Sequence, residues 1–150
     1  MKKLLVFLLL LCALGTTFVF KPQNNPLLIN DGLQKVCVVS DKKTENAQSV
    51  VCGDLVFNYY TPQAAAENLK TLQKDAKSVQ YYLSCSVDDI LKLLNASVVS
   101  RQNIDDLCVV CAYTAAFDKC IYVDGKKVNV QIAQKDGQVV AGFPSIMTGF

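Results

Sequence analysis

The stretch VNVQIAQ at residues 128–134, followed by the turn Lys135-Asp136-Gly137 and the run VVAGF at 139–143, decides the fold. Val128, Val130 and Ile132 alternate with Asn129, Gln131 and Ala133, so successive side chains divide between two faces. A helix would repeat its apolar residues every three and four positions; a repeat of two predicts a strand with one buried face. The segment 139–143 then reads as a partner strand. Upstream, residues 120–123 predict another strand, joined to 128–134 through the hairpin signal Asp124-Gly125. The three form an antiparallel meander, and Pro144 ends it because proline has no N–H to give to a ladder.

Working outward, residues 107–114 (LCVVCAYT) predict a largely buried strand and 98–102 a short one. Segments 78–85 and 34–40 are β-branched and apolar enough for two more, and 49–60 reads as one strand bulged at Gly53. Two helices interrupt this series. Thr61-Pro62 opens the first, with threonine as N-cap and proline where its missing N–H costs nothing; Ala65, Leu69, Leu72 and Ala76 form its apolar stripe. Ser86 opens the second, with Asp89 completing an approximate capping box, Ile90, Leu91 and Leu94 on the buried side and Asn95 as C-cap. Hairpins at both ends with two helices between them predict an α+β fold: a two-layer sandwich of a mainly antiparallel sheet with both helices on one face.

The first twenty residues, MKKLLVFLLLLCALGTTFVF, read differently. Lys2 and Lys3 precede an uncharged run over 4–20, the pattern of a secretory signal or an N-terminal membrane anchor. As a helix the run would span roughly 25 Å, slightly short of a hydrocarbon core of about 30 Å. Ala13 and Gly15 offer a cleavage site, whereas the apolar residues 16–20 favour retention as an anchor. Leu11 before Cys12 is too bulky for a good lipoprotein box. The lysines stay inside, so the rest of the chain is expected outside the cytoplasmic membrane. The organisation is therefore a leader over 1–20, a linker over 21–33 with its prolines and asparagines, and one domain over 34–150.

Composition narrows the function. The chain carries 15 Lys+Arg against 13 Asp+Glu; two lysines lie in the leader, so the exported part stands at 13 against 13. Arg101 is the only arginine, and nucleic acid is not an expected partner without a basic excess. There is no histidine, which excludes Ser–His and Cys–His catalysis and weakens any case for zinc. Six cysteines follow the leader: Cys37, Cys52, Cys85, Cys108, Cys111 and Cys120. They are candidates for disulfides in an exported chain, or for small buried hydrophobes, given contexts such as VCVV and LCVVCA.

Cys108-Val-Val-Cys111 is the one motif with chemical promise, as the pair of a thiol–disulfide oxidoreductase. Within a strand, however, the two would lie about 10 Å apart on opposite faces, beyond the roughly 7 Å that a disulfide allows between Cα atoms. Asp88-Asp89 and Asp105-Asp106 resemble acid pairs but flank secondary structure, where carboxylates cap helices or face solvent. Tyr59-Tyr60 and Tyr81-Tyr82 should each give one core ring and one surface ring, and the surface rings would suit a binding face. Asn95-Ala96-Ser97 matches a glycosylation sequon without further support.

The C-terminal elements also resemble the YwmB-type, TATA-box-binding-like exported proteins of Gram-positive bacteria. Asn129, Gln131 and Ala133 match an N-x-Q-[IL]-A strand, and Gly142 and Pro144 a Gly-x-Pro-[IL] ending, with Ser145 intervening before Ile146. The resemblance covers the last quarter of the chain and implies a leader-bearing extracytoplasmic α+β domain, with no catalytic residues to carry over. The expectation is a non-enzymatic domain without cofactor or metal, in contact with the membrane through residues 4–20 and with an envelope protein.

Overall fold

Thr61 begins the first helix as its sequence requires: its hydroxyl accepts from the Ala64 N–H and Pro62 takes the first turn. The computed structural model describes residues 25–148, so the leader and its proposed membrane role lie outside the described residues. In chain order the elements are β1 (Leu33–Ser40), β2 (Gln48–Cys52), β3 (Leu55–Tyr60), α1 (Pro62–Leu72), β4 (Ser78–Leu83) and α2 (Val87–Leu93). There follow β5 (Ser97–Ile104), β6 (Leu107–Tyr113), β7 (Ile121–Val123), β8 (Lys126–Val128), β9 (Val130–Lys135) and β10 (Gln138–Phe143). Eight strands form one sheet in the order β2-β3-β1-β4-β10-β9-β6-β5, and every pairing in it is antiparallel. The fold is α+β, mainly antiparallel sheet with two helices.

Both helices bury their stripes in the same core. Ala65 and Leu69 of α1 and Val87, Ile90 and Leu91 of α2 join Val36, Val38, Val110, Val130, Ile132, Val139 and Ala141 from the sheet. The capping box at Ser86 forms in full, with Ser86 and Asp89 exchanging side-chain and backbone hydrogen bonds. Asn95, read as the C-cap, sits one residue beyond the cap Leu94 with φ 47°, a left-handed stop to the helix. Helix α1 ends at Leu72, short of Ala76, which is buried in the turn that follows.

Five expectations need correction. Residues 49–60 are a hairpin rather than one bulged strand: Gly53, at φ 59°, opens a two-residue turn between β2 and β3. The C-terminal meander has lost its first member. β7 and β8 form a separate two-stranded ribbon, because Asn129 breaks the run between β8 and β9. Asn129 does not face solvent opposite the valines. It is fully buried, its side chain accepting from the Thr114 N–H and donating to the carbonyls of Thr114 and Phe117. Strand β6 is less buried than its apolar sequence suggests, with only Val110 and Ala112 enclosed, since its neighbour β5 is the sheet edge. Finally, the linker boundary is too late: Leu27 lies in the core and the Asn25 amide donates to Tyr81 Oη at 2.6 Å, so the folded unit includes residues before 34.

The Asp-Gly turns form as written. Asp124-Gly125 and Asp136-Gly137 hold positive φ at both residues, 50° and 75° in one and 50° and 77° in the other, the type I′ geometry that matches strand twist.

Candidate interaction face

Pairing register fixes which side chains share the face turned away from the helices. Ser100, Cys111, Gln131, Gly142, Gln80, Cys37, Tyr59 and Gln48 lie in one row across the sheet. Beside it runs Val109, Ala133, Val140, Tyr82 and Lys35. The helix-covered face is aliphatic at these strands, whereas this face mixes amides, thiols and aromatic rings.

Its middle is covered by the chain's own C-terminal segment, which returns over the sheet after Phe143. Four hydrogen bonds hold this strap. Ser78 Oγ donates to the Ser145 carbonyl at 2.6 Å, and the Ile146 N–H donates to Gln131 Oε1 at 3.0 Å. The Tyr82 hydroxyl donates to Thr148 Oγ1 at 3.0 Å, and Thr148 donates to Gln80 Oε1 at 2.6 Å. The Ile146 side chain packs against a small cluster of Cys37, Val39, Phe57, Tyr82 and Val140. Gly142 lies directly beneath: a Cβ there would come within 2.6 Å of the Ser145 carbonyl group, so only glycine leaves room for the strap. The residues that carry the sequence resemblance thus have structural tasks here. Asn129 clamps the 114–117 loop, Gln131 anchors the strap and Gly142 makes space for it.

Lys35 is exposed and lies over two rings of this face, 4.3 Å from the Tyr82 centroid and 5.1 Å from that of Tyr59. The tyrosine pairs split between faces as expected, with Tyr60 and Tyr81 in the core. Tyr82, expected at the surface, is also buried, because the strap and Lys35 cover it. Burial pushes the Cys37 thiol up from 9.0 to about 12, partly offset by its hydrogen bond with Tyr59 and by the Lys35 charge. Burial likewise pushes Tyr59 up to about 12, helped by the neighbouring Cys37 and Tyr82.

The six cysteines are free thiols at scattered places. Cys37 is buried in the small cluster, Cys52 is exposed at the end of β2, and Cys85 is half-buried before α2. Cys120 is half-buried ahead of β7. Cys108 and Cys111 both lie in β6, and their odd separation puts them on opposite faces, within a strand rather than opening a helix as an oxidoreductase pair does. Among the described residues no three of His, Cys, Asp and Glu converge as metal ligands would. The acid pairs do structural work: Asp88 pairs with Arg101 at 2.7 Å, Asp89 caps α2, Asp105 turns the chain at φ 53°, and Asp106 lies 3.5 Å from Lys135. Ser86 bonds hold the Asp89 carboxyl below its usual range. The clefts lie away from this face. One of ≈ 250 Å³ is bounded by Gln73, Ala76, Val79, Phe117, Asp118, Lys119 and Phe143, and the Lys119 ammonium there donates to the Ala76 carbonyl.

Sequence reasoning did not find Ser78, Gln80 or Thr148. The available signal was a glutamine inside the apolar strand SVQYYL: a buried amide needs a partner, and its partner is 68 residues away in the strap. In the comparisons with known proteins, no family model, curated protein or solved structure matches this chain.

Proposed function

We propose that this chain is an extracytoplasmic, non-enzymatic domain that acts through protein–protein contacts at the bacterial cell envelope, anchored by residues 4–20 or released after cleavage. One observation carries the reading. Beyond the strap, the helix-free face continues over β9, β6 and β5 as a sparsely charged surface: Ala133 beside Val109 and Leu107, with Cys111, Ser100, Gln102, Ile104 and Tyr113 around them and Lys135, paired with Asp106, at its end. Ile104 is 57% and Tyr113 38% exposed. An apolar centre with a polar, aromatic rim is the composition of a protein-binding patch rather than of an ordinary charged surface. Kinship with the YwmB-type exported proteins belongs to the same proposal and rests on the sequence match at Asn129, Gln131, Ala133, Gly142 and Pro144.

A photocrosslinking residue at Val109 in the full chain, expressed in its native cells, tests this reading. Discrete crosslinked species are expected from position 109 and not from Glu67 on the exposed side of α1. Equal, diffuse labelling from both sites would contradict it, as would turnover of any substrate by the purified chain in an unbiased screen. The rival reading, redox work by Cys108 and Cys111, has the mid-strand placement of both thiols against it. Nucleic-acid binding has the balanced charge of residues 21–150 against it.

A further inference from the structure

We propose that the strapped part of the helix-free face is a docking groove for an extended segment of a partner protein, one with an aliphatic residue and, two positions on, an amide side chain. The chain's own C-terminal segment holds this groove in cis. The proposal deepens the protein-contact reading and rests on it.

The groove is built to hold a backbone. Ser78 gives a donor to a passing carbonyl, Gln131 gives an acceptor to the next N–H, and Gly142 clears the floor between them. Contacts of this kind bind extended chains of any sequence, and pockets for alternate side chains then choose among them. The strap shows the alternation: Ile146 packs inward, Met147 points out at 41% exposure, and Thr148 turns back to Tyr82 and Gln80.

Yet the strap is an incomplete occupant. Gln80 is fully buried, and while its Oε1 takes the Thr148 hydroxyl, its Nε2 has no partner among the described residues. A hydroxyl satisfies one end of that amide. An asparagine side chain at the same place would satisfy both, donating to Oε1 and accepting from Nε2. A second copy's identical segment would leave the same atom unpaired, so the occupant is a different chain. Lys35 adds a charge preference. It stands over Tyr82 with no carboxylate partner among the described residues, so an acidic residue flanking the amide fits this end of the groove.

The test uses the full-length chain in detergent and fluorescein-labelled peptides followed by anisotropy. One peptide spells residues 142–150, the second carries Thr148→Asn, and the third adds Ile146→Asp to the second. The Thr148→Asn peptide should bind about tenfold tighter than the parent sequence, the worth of one buried hydrogen bond, and the third should not bind. Weakening the strap in the chain itself, by Ile146→Asp, should tighten binding at least about tenfold by removing the competitor. Placing Thr148→Asn in the chain should weaken it, because the strap is then complete. Equal affinity of the first two peptides, or no binding to either the wild-type or the Ile146→Asp chain, overturns the proposal. Should Ile146→Asp fail to fold by circular dichroism, the wild-type and Thr148→Asn chains decide: unchanged peptide affinity between them overturns it. Peptide failure with crosslinks from Val109 intact would remove this inference and leave the broader reading standing.

Discussion

The two faces of the sheet are covered in opposite ways. On one, two helices contribute apolar stripes to a continuous aliphatic core; on the other, a short segment is held by four hydrogen bonds and one isoleucine. Burial on the first face is non-directional and spread over many side chains, so its loss is felt by the whole fold. Cover on the second depends on a few polar contacts, each with a modest net worth because water competes for the same groups. The difference teaches how cover can be achieved in two ways: one face is closed by burial spread over many side chains, and the other by a few directional contacts.

The largest expected effect lies on the helix side. Ile132 is fully buried there, and Ile132→Ala should cost about 2–5 kcal/mol in denaturant unfolding. A loss no greater than that of Gln131→Ala, on the other face of the same strand, would break the comparison. Next comes Asn129→Ala, which strands the Thr114 N–H and two carbonyls in a buried place and should cost about 1–3 kcal/mol. Gln131→Ala removes one strap anchor from a half-exposed site and should cost about 1 kcal/mol in the same measurement. Smallest of all, Arg101→Ala breaks an exposed ion pair with Asp88, and a change beyond about 1 kcal/mol would be unexpected.

Alkali should act on the strapped face first. An unfolded chain releases the Cys37 proton near 9.0, whereas the folded chain keeps it to about 12. The contribution of Cys37 to stability is therefore fully present below 9.0 and is lost as pH rises through that window. Melting temperatures measured between pH 8 and 11 (a range chosen about that window) should fall with pH, and Cys37→Val should flatten the fall. A slope unchanged by the substitution would mean that Cys37 is not held neutral by this face.

How much of this was legible in the residues depends on range. The caps at Thr61 and Ser86, both Asp-Gly turns and the alternation of Val130 with Ile132 are local signals, and each formed as written. What failed needed distant partners. Nothing near Asn129 shows that a loop at 114–117 will clamp it, and nothing in Gln80 points to Thr148. Gly53-Asp54 was ambiguous because a glycine between β-branched runs serves a bulge and a turn equally well; only the pairing of Val50 with Phe57 shows the hairpin. The strap escaped notice because it lacks a ladder of its own: its hydrogen bonds go to side chains, which leave no periodic trace in sequence.

Native-state hydrogen exchange tests the central division most directly. The Ile146 N–H is bonded to a strap anchor, while the amides of Val110 and Ile132 lie in the middle of the sheet. The Ile146 amide should exchange through a local opening at least about a hundredfold faster than those of Val110 and Ile132, with a weak dependence on denaturant. Exchange of all three at one rate with the denaturant dependence of global unfolding would show that the strap is part of the core, and the account of two differently held faces would be wrong.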